Sequence, residues 1–327
     1  MEDENKAMNQ FLQKWLPAMT PLAVIAGVLA NQMLEPAAFL VPWIFACMSF
    51  ANSITIHPRE IKQVFRFPRS FFLTFVALQL ILPFCAYIAG ILLFPDDVWT
   101  QTGLLLAFSI PTGIVSLMWI SIYGGNRTLA LCLILANTLL APICIPLTLA
   151  VFLGTELSLD TFGIFMGVFW MVVAPSLAAL TINAAKPAWA SVINVVGAPF
   201  TKLGLLVVIM LNSSVAAPYF LALDIKLATI IATVLALAII GYLTGLWLGK
   251  ATGSPKEDQI SMMLLSGMRN IGVGAAIAIV YFPPAATLPV IAGTLFQQVL
   301  AALFGKWQSL SPKHSTNPYN AAKNRDA

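Results

Sequence analysis

The chain has 327 residues, 59 % of them hydrophobic and only 9 % charged, with a formal net charge of +4 and a mean hydropathy of +0.89. Ordinary soluble domains are about 45–50 % apolar and about a quarter charged, so this composition excludes a soluble enzyme, a nucleic-acid binder and a disordered chain. At about 20 residues per bilayer crossing, the apolar region between a polar head and a polar tail holds about ten helices.

The head, residues 1–16, lacks the basic start and small-residue cleavage site of a secretory signal. Apolar spans are predicted near 18–34, 37–56, 71–94, 103–123, 127–153, 161–184, 201–218, 226–249, 259–282 and 286–305. The seventh is the least regular, because LNSSVAAPYF interrupts its end, and nine spans are the alternative. The tail, 307–327, is polar, has little to bury and is expected to be disordered. Cys47, Cys85, Cys132 and Cys144 all lie in apolar runs without metal-ligand spacing, and read as small hydrophobes rather than disulfide or zinc partners.

Charge orients the spans. With ten spans and a cytoplasmic N-terminus, the cytoplasmic stretches hold Lys6, Lys14, Arg59, Lys62, Arg66, Arg69, Arg127, Lys186, Lys202, Lys250, Lys256, Lys306, Lys313, Lys323 and Arg325, fifteen of the seventeen basic residues. The opposite side holds Lys226 alone, against Glu35, Asp96, Asp97, Glu156, Asp160 and Asp224. Retention of Lys and Arg in the cytoplasm gives this asymmetry, so both termini are expected in the cytoplasm of a cell with its chain in the inner (plasma) membrane. The basic connection HPREIKQVFRFPR is expected to meet anionic membrane lipids, with Phe65 and Phe67 at the interface.

Two connections are alike: His57-Pro58 leads to Phe67-Pro68, and Lys186-Pro187 leads to Ala198-Pro199, 129 to 131 residues on. Five spans per half would make the second half enter the membrane upside down, a common plan in secondary transporters. The expected halves are 17–156 and 157–306.

Two spans are interrupted. The fourth contains Ile110-Pro111-Thr112-Gly113 and then Ser116; the ninth contains Ser266-Gly267-Met268-Arg269-Asn270-Ile271-Gly272. Proline removes a donor and glycine relaxes the backbone, and the freed polar groups are tolerated at membrane depth only where protein or a watery cavity satisfies them. Paired interrupted helices in corresponding positions point to a midplane binding site. On this topology all thirteen Asp and Glu residues, His57 and His314 lie outside the spans, leaving Arg269 as the one ion inside. A guanidinium near the bilayer centre costs at least about 2.5–3.5 kcal/mol and cannot shed its proton cheaply. Backbone carbonyls, amide side chains, water or an anionic ligand must satisfy it.

These stretches resemble the bile acid:sodium symporter family of ten-helix transporters. Pro111-Thr112-Gly113-Ile114-Val115-Ser116-Leu117 with Gly125-Asn126 is similar to that family's Pro-Gly-Gly-Thr-Ala-Ser-Asn helix, and Gly267-Met268-Arg269-Asn270 with Gly272 to its Glu-Val-Gly-Met-Gln-Asn-Ser-Gly crossing helix. The resemblance implies an all-α membrane protein with two inverted five-helix repeats and two broken helices crossing in a core domain beside a panel domain. Pro111, Gly113, Gly267 and Gly272 would form the crossing. It implies carriage of a small organic anion, a carboxylate or sulphonate, usually with two sodium ions. The sodium ligands depart from the family pattern: its glutamate aligns with Leu265, its adjacent glutamine with Arg269, and further ligands with Leu117, Ala130 and Ile134. Only Gln79 and Ser116 match. Sodium binding is therefore expected to be absent or weak, with no other metal or cofactor, and Arg269 is expected to act as a tethered cation in its place. Asn270, Gln297, Gln298, Thr112 and Ser116 are the expected substrate-binding partners of Arg269. The alternatives are a sodium-coupled symporter with altered ligands, a homologue that binds an anion without transporting it, and a metalloid or weak-acid efflux carrier. An embedded enzyme would need a core Asp, Glu or His, and the spans offer none.

Overall fold

The computed structural model describes residues 2–54, 56, 68–154, 160–222 and 224–310. Their backbone is helical almost throughout, as hydrocarbon demands: each N–H and C=O must find its partner within its own segment. The N-terminal helix α1 is Glu2–Leu29, followed by turns at Asn31–Leu34 and Glu35–Leu40 that lead into α2, Val41–Ser53. α3 joins Pro68–Val76, a π-helical turn at Ala77–Ile81, and Leu82–Leu93. The next helix is split into α4a, Val98–Ser109, and α4b, Ser116–Ile122; α5 is Arg127–Leu153. α6 joins Thr161–Val168, a π-helical turn at Phe169–Val173, and Ala174–Ala185; α7 is Pro187–Val215, with a short helix at Ala217–Leu221 after it. α8 is Ile225–Ala251, α9a Lys256–Gly267, α9b Ile271–Tyr281 and α10 Pro284–Leu310.

Seven stretches among the described residues are long and apolar enough to cross a bilayer: Asn31–Ser53, Arg69–Leu93, Arg127–Leu153, Thr161–Ala185, Gly197–Val215, Ile225–Ala251 and Pro284–Gln308. The split helices fall short because each is cut in mid-course, and α1 is apolar only over Ala18–Leu29. The chain is a multi-pass, all-helical membrane protein.

Segment ends meet in two groups. At one end, the starts of α3, α5 and α9a are fastened together: Asp258 accepts from Ser70 Oγ at 3.0 Å and from Asn126 Nδ2 at 2.8 Å. At the other end, Lys226 at the start of α8 pairs with Asp97, which precedes α4a, at 2.7 Å. Some element starts are separated by a steady interval: Pro68 and Ile225 stand 157 residues apart, Val98 and Lys256 158, Arg127 and Pro284 157. The interval is not the 129–131 residues between the two proline-bearing connections, and residues 57–67 of the first connection, Phe65 among them, lie outside the described residues.

The structure departs from the sequence expectation at the starts of α1 and α7 and at Asp258. The polar head is not separate: α1 starts at Glu2, because its Glu, Lys, Ala and Gln residues favour helix, and Leu12 and Leu16 are buried on its inner side. α7 starts at Pro187 rather than near 201. Pro199 lies inside it, so a proline that reads as a helix start is instead tolerated within one, and Lys202 moves from a connection into the helix. Asp258 is only 5 % exposed and belongs to the first turn of α9a, so the carboxylates are not all in loops. The polar tail past Leu310 lies outside the described residues. Of the cysteines, Cys132 is buried but Cys47 is exposed on the surface of α2.

Apolar cores flank the two interruptions. Leu104–Leu106 of α4a, Ala275–Ala278 of α9b and Val290–Ala292 of α10 pack on one side. Ile120 of α4b, Met263–Leu265 of α9a, and Tyr242 and Leu246 of α8 pack on the other. The polar backbone between them is thereby held in place.

Candidate functional site

α4a stops because Ile110 precedes a proline, which disfavours helical backbone; Ile110 is extended, with φ −63° and ψ 153°. Met268 ends α9a in a similar way, with φ −106° and ψ 126°. The two freed strands then satisfy one another, with Thr112 and Arg269 paired antiparallel. The Asn270 N–H donates to the Pro111 carbonyl at 2.8 Å, and the Gly113 N–H to the Met268 carbonyl at 3.4 Å. The Thr112 hydroxyl lies within 2.9 Å of the Leu265 carbonyl and 2.8 Å of the Met268 carbonyl. Gly113 is needed for this approach, since a Cβ there would stand 2.9 Å from the Arg269 carbonyl oxygen; at Gly267 it would meet the Tyr242 ring at 2.4 Å.

Arg269 is 4 % exposed. One guanidinium nitrogen, Nη1, donates to the Ile110 carbonyl at 3.3 Å. That carbonyl sits at the C-terminus of α4a, where the helix dipole favours a cation. Nε and Nη2 have no partner among the described residues. The Arg269 backbone N–H donates to Gln297 Oε1 at 2.9 Å, and the indole N–H of Trp119 donates to Gln298 Oε1 at 2.7 Å. Both donors are N–H groups that can only donate, so the orientation of each amide is forced. Each amide oxygen already accepts one hydrogen bond, and each NH2 remains to donate.

Arg269, Asn270, Gly113, Gly272, Gln297 and Gln298 come together on the wall of one cavity of about 570 Å³. Its other polar lining includes Asn52, Arg127, Asn194, Thr201, Lys202 and Thr294, and among the described residues no Asp or Glu lines it. It reaches the surface at the end where Asp258 sits, between the exposed residues Ser121, Ile122, Arg127 and Asn194. Five of the expected site residues lie elsewhere. Thr112 spends its hydroxyl on the α9a carbonyls and faces a smaller cavity of about 30 Å³. Ser116, at the start of α4b, is fully buried with an unpartnered Oγ. Gln79, on the α3 π-helical turn, donates its amide to the Asn137 side-chain oxygen, leaving Gln79 Oε1 and Asn137 Nδ2 unpaired. Pro111 and Gly267 shape the crossing rather than line the cavity. Trp119 supports the site through Gln298, whereas Trp170 is 66 % exposed and points away from the core.

Lys202, Arg127, Asn194 and Thr294 were missed by sequence reasoning. The signal for the first and third is helical: Asn194, Ala198, Lys202, Leu205 and Ile209 recur at intervals of three and four, one face of α7, and that pattern shows only once α7 is allowed to run through Pro199.

Comparison with known proteins gives a consistent family assignment. The model of the sodium bile acid symporter family matches residues 41–223. The chain is 39 % identical over 291 residues to an uncharacterized Bacillus subtilis protein, YbaS, a match that covers 89 % of this chain and 95 % of YbaS. It is 25 % identical over 270 residues, 80 % of this chain and 77 % of the relative, to YocS of Bacillus subtilis, an uncharacterized sodium-dependent transporter. It is 24 % identical over 288 residues, 80 % of this chain and 66 % of the relative, to BASS5 of Arabidopsis thaliana, a probable chloroplastic sodium/metabolite cotransporter.

Proposed function

The chain belongs to the sodium bile acid symporter family, and from that premise we propose that it is a secondary transporter of a small organic anion, a carboxylate or sulphonate, in which Arg269 supplies permanently the positive charge that sodium ions supply to relatives. The observation that carries the reading is a buried guanidinium with two nitrogens unpartnered among the described residues, in the wall of a cavity that no described carboxylate lines. The glutamine NH2 groups add donors for an anion. A bound sodium ion would need several oxygen ligands (by analogy with). Leu265 offers none from its side chain, and the amide oxygens of Gln297 and Gln298 each already accept a hydrogen bond; Gln79 Oε1 and Ser116 Oγ are the buried, unpartnered oxygens at the positions that match the family's sodium ligands. On this reading Arg269 stands in place of a coupling ion, and transport is facilitated diffusion or exchange.

Ten crossings follow on this reading, as two inverted repeats of five segments within about 17–156 and 157–306; the interval of 157 to 158 residues between element starts supports it. The end bearing Arg69, Arg127, Lys186, Lys250 and Lys306 is cytoplasmic, with both termini there, in the inner (plasma) membrane. The cavity is then open to the cytoplasm, and transport proceeds by alternating access at the crossing.

The test is uptake of a candidate anion into proteoliposomes in sodium, potassium and choline buffers. Equal rates are expected; a stimulation of about tenfold or more by sodium restores the sodium-coupled reading that the names of YocS and BASS5 favour. Arg269→Gln should lose anion binding by about 100-fold, the worth of two charge-assisted hydrogen bonds, while the protein stays monodisperse. Counterflow separates a carrier from a binder, since a binder shows no trans-stimulated flux. A metalloid carrier would need thiols at the site, and Cys132 and Cys144 of α5 lie outside the cavity wall.

A further inference from the structure

Lys202 stands 15 residues into α7, five residues past the start of its membrane-crossing stretch at Gly197. It is half-buried and lines the same cavity as Arg269, from a different wall. The cavity face of α7 runs from Asn194 to Ile209, about 22 Å along the helix, so the space suits an extended molecule rather than a compact ion.

Resting on the anion-carrier reading above, we propose that the substrate is dianionic: one anionic group is held at the crossing by Arg269 with the NH2 groups of Gln297 and Gln298, and a second is held by Lys202 of α7. Cations on two walls of an elongated cavity, with no carboxylate among the described lining residues, match a ligand charged at both ends and apolar between. Leu205 and Ile209 of α7 and Phe45 of α2 supply the apolar wall. A singly charged ligand bound at Arg269 makes no second ionic contact with Lys202. Lys202 is thereby the residue that sets specificity.

The test titrates the purified full chain, in sodium-free buffer, with matched pairs of probes: glutarate against pentanoate, and suberate against octanoate. At least one dicarboxylate should bind about tenfold or more tightly than its monocarboxylate partner, the worth of one additional charge-assisted contact. Lys202→Gln should abolish that preference, and Lys202→Arg should restore it. Monocarboxylates that bind as well as the dicarboxylates, or a Lys202→Gln variant that keeps the preference, overturn the dianion inference and leave the carrier reading standing. Failure of every probe to bind, or binding indifferent to Arg269→Gln, overturns the carrier reading and this inference with it.

Discussion

The interruption in α4 and the interruption in α9 face each other, Thr112 against Arg269, and do opposite kinds of work. The α4 strand contributes acceptors and one bridging hydroxyl: the Ile110 and Pro111 carbonyls receive Arg269 and Asn270, and Thr112 reaches back to two carbonyls of α9a. The α9 strand contributes the charge. Backbone complementarity therefore builds the crossing symmetrically, while one side chain makes it electropositive from one side only. Architecture and ligand chemistry are separable here.

The largest break in that comparison is expected from Gly113→Val, which drives a branched side chain into the Arg269 carbonyl. Overpacking against backbone with no room to relax costs more than about 3 kcal/mol, and size-exclusion chromatography should find aggregated rather than monodisperse protein. Thr112→Val is smaller and sharper. It removes the hydroxyl, strands the carbonyls it serves, and should lower stability by about 1–3 kcal/mol, read as a lower melting temperature with anion affinity retained. Arg269→Gln should show the reverse, with binding lost and the fold kept. If Thr112→Val instead removed binding as completely as Arg269→Gln, architecture and ligand chemistry would be one function.

The smallest effect lies away from the crossing, at the Asp97–Lys226 pair. Burial pushes the Asp97 carboxyl up, but hydrogen bonds from Lys226 and Thr100, with the Lys226 charge, outweigh it and hold Asp97 below its ordinary value. A depressed carboxylate stabilises the fold above the ordinary carboxylate range and loses that contribution as pH falls through its own lower value. Melting temperature should therefore decline as pH drops below about 4, and Asp97→Asn should remove part of the decline. At neutral pH the substitution should cost about 0–1 kcal/mol, as for a partly exposed pair.

Hydropathy alone made most of the helices legible, because a crossing needs an unbroken apolar run, and it made both interruptions legible, because Pro111 and the glycines near Arg269 stand inside such runs. What stayed hidden depends on pairings far apart in the chain. Gln79 and Asn137 are 58 residues apart, and Asn126 and Asp258 are 132 apart; no local pattern announces either. Lys202 was hidden for a different reason. A proline at 199 is a fair signal for the start of a helix, but here the Thr201 hydroxyl donates to the Ala198 carbonyl and the helix passes through. The forced orientation of Gln297 and Gln298 also could not be read from sequence, since it follows from which neighbours can only donate.

A guanidinium fixed at the crossing has an electrical consequence. On the carrier reading, reorienting the unloaded protein moves that charge through part of the membrane voltage, at up to about 2.3 kcal/mol per 100 mV for a full traverse. In a cell with a negative interior, the empty carrier is drawn toward the inward-open form and resists turning outward. Loading with an anion cancels the charge and lifts the resistance, so the return stroke is cheapest when something is carried in both directions, and swapping one anion for another is the natural mode of operation.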